Sequence, residues 1–211
     1  MIFREGALQT IPFLIAALLP ALTFHEWGHA MMAKHFGDDT AERQGRLTLN
    51  PLAHLDIMGT IAILIIGFGW AKPVPIDPRN FKSKWAEFWV ASAGPMMNVV
   101  LALCFATLVH LGAANWLGAE TAPILEQIFQ ISIFLNFALC FFNLIPIGPL
   151  DGRSIIVKFM PLRQALQYEI WNARYGSMVL MGVILADIIL HTGILMTIIR
   201  VPTMIFTNLV L

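Results

Sequence analysis

This chain has little charge, few cysteines and no long polar stretch. Only 12% of its 211 residues are charged, 58% are hydrophobic and the formal net charge is zero. Mean hydropathy is +0.74. Soluble domains carry about 25% charged residues, so that class is excluded. With no basic surplus to hold a phosphate backbone, no nucleic-acid partner is expected. Cys104 and Cys140 fall in separate apolar runs without CxxC spacing, which leaves no thiol metal site and favours buried packing. What remains is an integral membrane protein, and residues 1–211 are expected to form a single membrane-embedded domain.

About four runs, 7–34, 85–111, 122–144 and 175–199, reach the roughly 20 residues that a helical crossing takes. A shorter run, 57–70, contains Gly59, Gly67 and Gly69 and is expected to be a re-entrant segment. A β-hairpin or a half-helix would serve there, provided protein or a wet cavity satisfies its backbone. A plain short helix is the alternative. The expected fold class is therefore an all-α polytopic membrane protein with about four long transmembrane helices and a re-entrant or β-hairpin segment at 57–70. The first run has no polar exit before Met32, so it reads as an uncleaved span rather than a signal peptide. Basic residues gather at Lys34, Arg43 and Arg46, at Lys72, Arg79, Lys82 and Lys84, and at Arg153, Lys158, Arg163 and Arg174, while 112–121 has none. If 57–70 returns to its side of entry, all three basic segments are cytoplasmic, as the positive-inside rule prefers.

Inside the first run the chain writes FHEWGH, residues 24–29. Helical positions four apart lie about 40° from each other, so His25 and His29 can offer imidazoles to one metal with Glu26 beside them. Ionisable residues within a span are costly and by default mark function. A catalytic zinc takes three protein ligands and keeps the fourth position for water. The candidate third ligand is Asp151, in a segment broken by Pro146, Gly148, Pro149 and Gly152. An Asp before Gly is by itself more often a turn residue. Its match in depth to the two histidines, at the cytoplasmic end, favours a ligand.

These residues resemble the site-2 protease family of intramembrane zinc metalloproteases. The resemblance rests on FHEWGH (24–29), RLTLNPL (46–52), GWAKPVP (69–75), AGPMMN (93–98) and NLIPIGPLDG (143–152), in that order. It implies one zinc ion per chain bound by His25, His29 and Asp151, with Glu26 activating water and Asn98 touching the substrate or its developing oxyanion. The implied activity is that of a zinc endopeptidase cutting peptide bonds in or near transmembrane segments of membrane proteins, in regulated intramembrane proteolysis. The chain is similar to the compact subgroup without PDZ or CBS domains, which leaves its regulation open and leaves room for a regulatory partner protein. The bilayer is its other partner, and a multi-pass place in a bacterial or archaeal cell membrane, with the active site toward the cytoplasm, is implied. Two rivals are a metal or proton transporter, which would also place His, Asp and Glu in spans, and an inactive protease-like protein that holds substrates. The intact HExxH and Asp151 argue against the second.

Other polar residues carry less. His54 and Asp56 precede the short run, and loop-end hydrogen bonding is the simpler role for them than orienting a ligand. Asp187 and His191 lie four apart in the last run and are expected to pair or to meet the headgroup region. His35 and Gly37 suit a helix C-terminus, His110 a span end, and Trp85 and Trp89 an interfacial anchor. Pro73, Pro75 and Pro78 favour an extended segment, which could offer a substrate an edge strand.

Overall fold

The computed structural model describes residues 7–66 and 69–211. Its α-helices are α1 (Ala7–His35), α2 (Thr40–Arg43), α3 (Ile57–Ile66), α4 (Ala86–His110), α5 (Ala122–Asn143), α6 (Gly152–Val157), α7 (Leu162–Trp171), α8 (Ser177–Leu190) and α9 (Ile194–Val210). Of these, α1, α4 and α5 are long and apolar enough to cross a membrane. All three pack against one another. Lipid gives no hydrophobic drive between helices, so close backbone approach over small residues has to hold them. The contacts are of that kind. Ala17, Ala21, Ala30, Ala33, Ala86 and Ala102 are fully or almost fully buried, and a Cβ on Gly28 would lie 2.6 Å from Met97 and 2.9 Å from the Ala93 carbonyl oxygen.

The end of α1 follows from its sequence. Gly37 sits at φ +104°, and its N–H donates to Lys34 O while the Asp38 N–H donates to Ala33 O. That is the paired-carbonyl C-cap expected of a left-handed glycine. Directly beyond it, Asp38 is fully buried. Its carboxylate accepts from Thr40 N and Oγ1, Asn80 Nδ2 and Asp77 N.

The run 57–70 begins as helix α3 over its first ten residues, a form common to the half-helix and the plain short helix. Residues 67 and 68 of that run lie outside the described residues. Leu55 and Ala71 form an antiparallel bridge, and Lys72 N donates to His54 O. The two ends of the segment therefore meet. Gly59 lets the return pass close by, since a Cβ there would lie 2.0 Å from Trp70 O. Asp56 caps α3 through Gly59 N, and His54 Nε2 binds Thr48 O, so both hold the loop in place. Residues 72–76 are non-helical, as the prolines require.

One sequence expectation needs correction. The run 175–199 is not a single spanning helix: α8 ends at Leu190, His191 turns left-handed at φ 52°, Gly193 follows at φ 65°, and α9 carries the chain on to Val210. The hydropathy reading stopped before Arg200 and Pro202, but α9 passes through both. Asp187 accepts the Thr192 hydroxyl across the break, and Gly193 takes the backbone conformation that disfavours a side chain. Trp85 and Trp89 are 41% and 43% exposed at the start of α4. The Lys158 ammonium lies 4.9 Å over the Trp85 ring.

Candidate metal centre

His25 and His29 stand one turn apart on α1, their rings edge to face with centroids 4.7 Å apart. Their Nε2 atoms are 3.1 Å apart. Asp151 closes the triangle, with Oδ2 at 3.3 Å from His25 Nε2 and Oδ1 at 3.4 Å from His29 Nε2. Both imidazoles are almost buried, at 6% exposure each. Among the described residues this is the group of ligand-type side chains whose donor atoms converge.

The hydrogen bonds on the far side of each ring decide what the near side can do. His29 Nδ1 lies 2.7 Å from the Val90 carbonyl oxygen. A carbonyl only accepts, so this nitrogen carries the proton and Nε2 presents a lone pair. His25 Nδ1 lies 2.7 Å from Asn98 Oδ1. The Asn98 amide nitrogen donates to Ala21 O at 3.1 Å and to Asn136 Oδ1 at 2.9 Å, so its oxygen has to face His25. His25 is thereby set as the Nδ1–H tautomer as well. Two lone pairs and a carboxylate then face one point, and buried Asp151 Oδ2 has no hydrogen bond among the described residues. Such a cluster of acceptors is satisfied by a cation. Donor separations of 3.1 to 3.4 Å match the roughly 3.3 Å expected between tetrahedral ligands at zinc's usual bond lengths of about 2.0–2.1 Å. The residues fit the ion.

Local structure brings each group here. Gly94 lets α4 touch the cluster, because a Cβ there would lie 2.3 Å from His29 Nε2 and 2.7 Å from His25 Cε1. Asp151 precedes α6 on a turn in which Gly148 adopts φ +71°. That turn is pinned by buried Asn172, whose side chain accepts from Gly148 N and donates to Gly148 O. Glu26 is 8% exposed, and its Oε2 accepts from Val74 N at 2.9 Å. Glu26 thus sits beside the metal-ligand group and is held by the extended segment. His25, Glu26, His29, Val74, Asn143 and Asp151 all line one cavity of about 530 Å³.

Asn98 is placed differently from the expected substrate contact. It is fully buried, its oxygen faces His25, and both amide hydrogens are spent within the fold. Asn143 is the carboxamide that lines the cavity; its Nδ2 donates to Leu139 O, which uses one of two hydrogens. Sequence reasoning missed Asn136, Asn172 and the Val74 N–H. An asparagine within an apolar helical run, Asn136, was the available signal for such a buried contact.

The family model for "Peptidase family M50" matches residues 13–121 and 111–185. "Putative zinc metalloprotease YwhC" of Bacillus subtilis is 46% identical over 163 residues, covering 75% of this chain and 74% of the relative. "Putative zinc metalloprotease Rip2" of Mycolicibacterium smegmatis is 35% identical over 147 residues, 67% of this chain and 55% of the relative. "Stage IV sporulation protein FB" of Bacillus subtilis is 28% identical over 155 residues, 72% of this chain and 43% of the relative. The chain therefore spans about half the length of the second and third of these. No solved structure matches it.

Proposed function

This chain belongs to peptidase family M50, the site-2 protease family, and from that membership we propose that it cuts peptide bonds in or near transmembrane segments of membrane proteins. It is a multi-pass membrane protein and a zinc metallopeptidase. His25, His29 and Asp151 would hold the zinc, which when bound lowers the pKa of water and polarises a carbonyl. The observation carrying this reading is the acceptor-only cluster with Glu26 in the same cavity, built into apolar helices.

Glu26 is the general base. The Val74 N–H fixes Oε2, which leaves Oε1 to take a proton from the attacking water and pass it to the leaving amide nitrogen. Asn98 orients His25 and sets its tautomer, the role that a partner of a metal-bound histidine usually fills. With Asn98 committed, the second amide hydrogen of Asn143 is a side-chain donor in the cavity wall, which Arg153 and Ser154 also line, for charge developing on the scissile carbonyl oxygen.

The extended segment can serve a substrate only in a restricted way. Lys72, Val74 and Asp77 spend their N–H groups on His54 O, Glu26 and Asp38, and Pro73 and Pro75 have none. A substrate strand pairing there would meet carbonyl acceptors and the Ile76 N–H. The basic segments favour a cavity opening toward the cytoplasm.

Purified protein incubated with a panel of single-span substrates, with and without a chelator, tests the proposal. Chelator-sensitive cleavage that Glu26→Gln abolishes is expected. Intact substrates, together with metal flux across vesicles, would favour a transporter instead.

A further inference from the structure

Asn136 lies on α5, is not among the residues that line the cavity, and is fully buried. Burying a carboxamide among apolar helices costs free energy unless all its groups are used. Here its Nδ2 donates to Ser132 O at 2.8 Å, and its Oδ1 accepts from Asn98 Nδ2 at 2.9 Å. Ser132 O is a carbonyl and can only accept, so the orientation of the Asn136 amide is fixed with its oxygen toward Asn98. Asn98 must then turn its own oxygen to His25 Nδ1. A second carbonyl, Ala21 O on α1, pulls the Asn98 nitrogen the same way.

We infer that Asn136 is a positioning residue for the zinc site: it sets the polarity of a buried relay, Ser132 O to Asn136 to Asn98 to His25, that keeps the His25 Nε2 lone pair directed at the metal. The relay ties three helices together, since Asn136 is on α5, Asn98 on α4 and His25 on α1. It reverses as a unit or not at all. If Asn136 lost its hold, Asn98 would keep only the Ala21 carbonyl to resist an amide flip, and a flipped Asn98 would present N–H groups to His25. That histidine would then shift its proton to Nε2, where it blocks metal binding. His29 is held instead by a backbone carbonyl, Val90 O, which cannot flip.

The inference rests on the reading of Asn98 as the residue that orients His25, and a double-mutant cycle separates the two. Zinc affinity of the detergent-purified full chain would be measured by competition with a chromophoric zinc chelator. Asn136→Leu, close to asparagine in shape, and Asn136→Ala, which suits a helix, should each weaken zinc binding by about tenfold, the low end for partners of metal ligands. In an Asn98→Ala background neither should weaken it further. Nitrogen NMR of ring-labelled histidine in the metal-free variants should show the Nε2–H tautomer of His25 gaining population, which a purely structural role would not produce. Equal zinc weakening by the Asn136 substitutions with and without Asn98 would overturn the inference, as would an unchanged His25 tautomer. Unaltered zinc affinity in Asn98→Ala alone would instead sink the reading of Asn98.

Discussion

The cavity has two walls, and they are held by different means. The metal wall is helical: His25 and His29 sit on α1, backed by Asn98 and the Val90 carbonyl of α4. Its polar atoms are buried and most of them meet partners within the bundle. The other wall is the extended segment 72–77, which is neither helix nor strand, though its Val74 and Ile76 pack with Ala30 of α1 and Ala41 of α2. Backbone hydrogen bonds to Glu26, His54 and Asp38, and the Arg46 guanidinium donating to Lys72 O, hold it instead. The difference separates two functions. On the proposed roles, one wall would fix ligand geometry by packing, while the other would aim the base through backbone hydrogen bonds.

The largest expected effects separate the walls outright. Glu26→Gln keeps an oxygen for the Val74 N–H but removes the base, so cleavage should fall by about 10²–10⁴-fold with zinc retained. His29→Ala and Asp151→Asn should lose zinc as well as activity. Metal analysis beside cleavage rates reads both. Stoichiometric zinc in both ligand variants would break the comparison, because the metal wall would then not consist of these residues.

Packing in the metal wall gives the next effect. A methyl group at position 94 would lie 2.3 Å from His29 Nε2 and be bounded by rings rather than flexible chain ends. Gly94→Ala should therefore displace an imidazole and lower zinc occupancy, with Gly94→Val worse. Overpacking of this kind typically costs about 1–3 kcal/mol. Thermal unfolding with and without added zinc checks it, since most of the loss should appear as lost stabilisation by the metal. Asn98→Ala comes third. It frees His25 Nδ1 and strands Asn136 Oδ1, and zinc affinity should fall by about 10–100-fold.

How much of this was legible in the sequence follows the same division. HExxH announces itself because helical spacing alone puts both imidazoles on one face, and the glycines and prolines around Asp151 announce a broken turn. The shortness of the run 57–70 was legible from length, and its two ends meet at the bridge between Leu55 and Ala71. The break at His191 was not. Asp187, Thr192 and Gly193 act there together, and hydropathy averages over them. Nor was the role of Asn98, because an asparagine's partners depend on which helix faces it. The motif says that the amide matters, whereas the buried neighbours Asn136 and Ala21 decide which of its ends is available.

The smallest expected effect belongs to the extended wall and turns on pH. Burial alone would raise the pKa of the Asp38 carboxyl, but donation from Thr40, Asn80 and the Asp77 N–H outweighs it and holds the group below its ordinary value of 3.8. A depressed folded-state pKa means that the ionised carboxylate stabilises the fold above the unfolded value. That contribution is lost as pH falls below about 3.8 and through the folded value. Hydrogen exchange of the Asp77 N–H, corrected for its intrinsic pH dependence, should therefore be flat from pH 8 to 5 and should show opening only under stronger acid. Asp38→Asn should open the segment at neutral pH, by roughly 1–3 kcal/mol for a buried donor left without its acceptor. Cleavage should slow because the Val74 N–H no longer fixes Glu26, and zinc affinity should stay within about twofold, since no ligand touches Asp38. A large loss of zinc in Asp38→Asn would mean that the two walls are one cooperative unit.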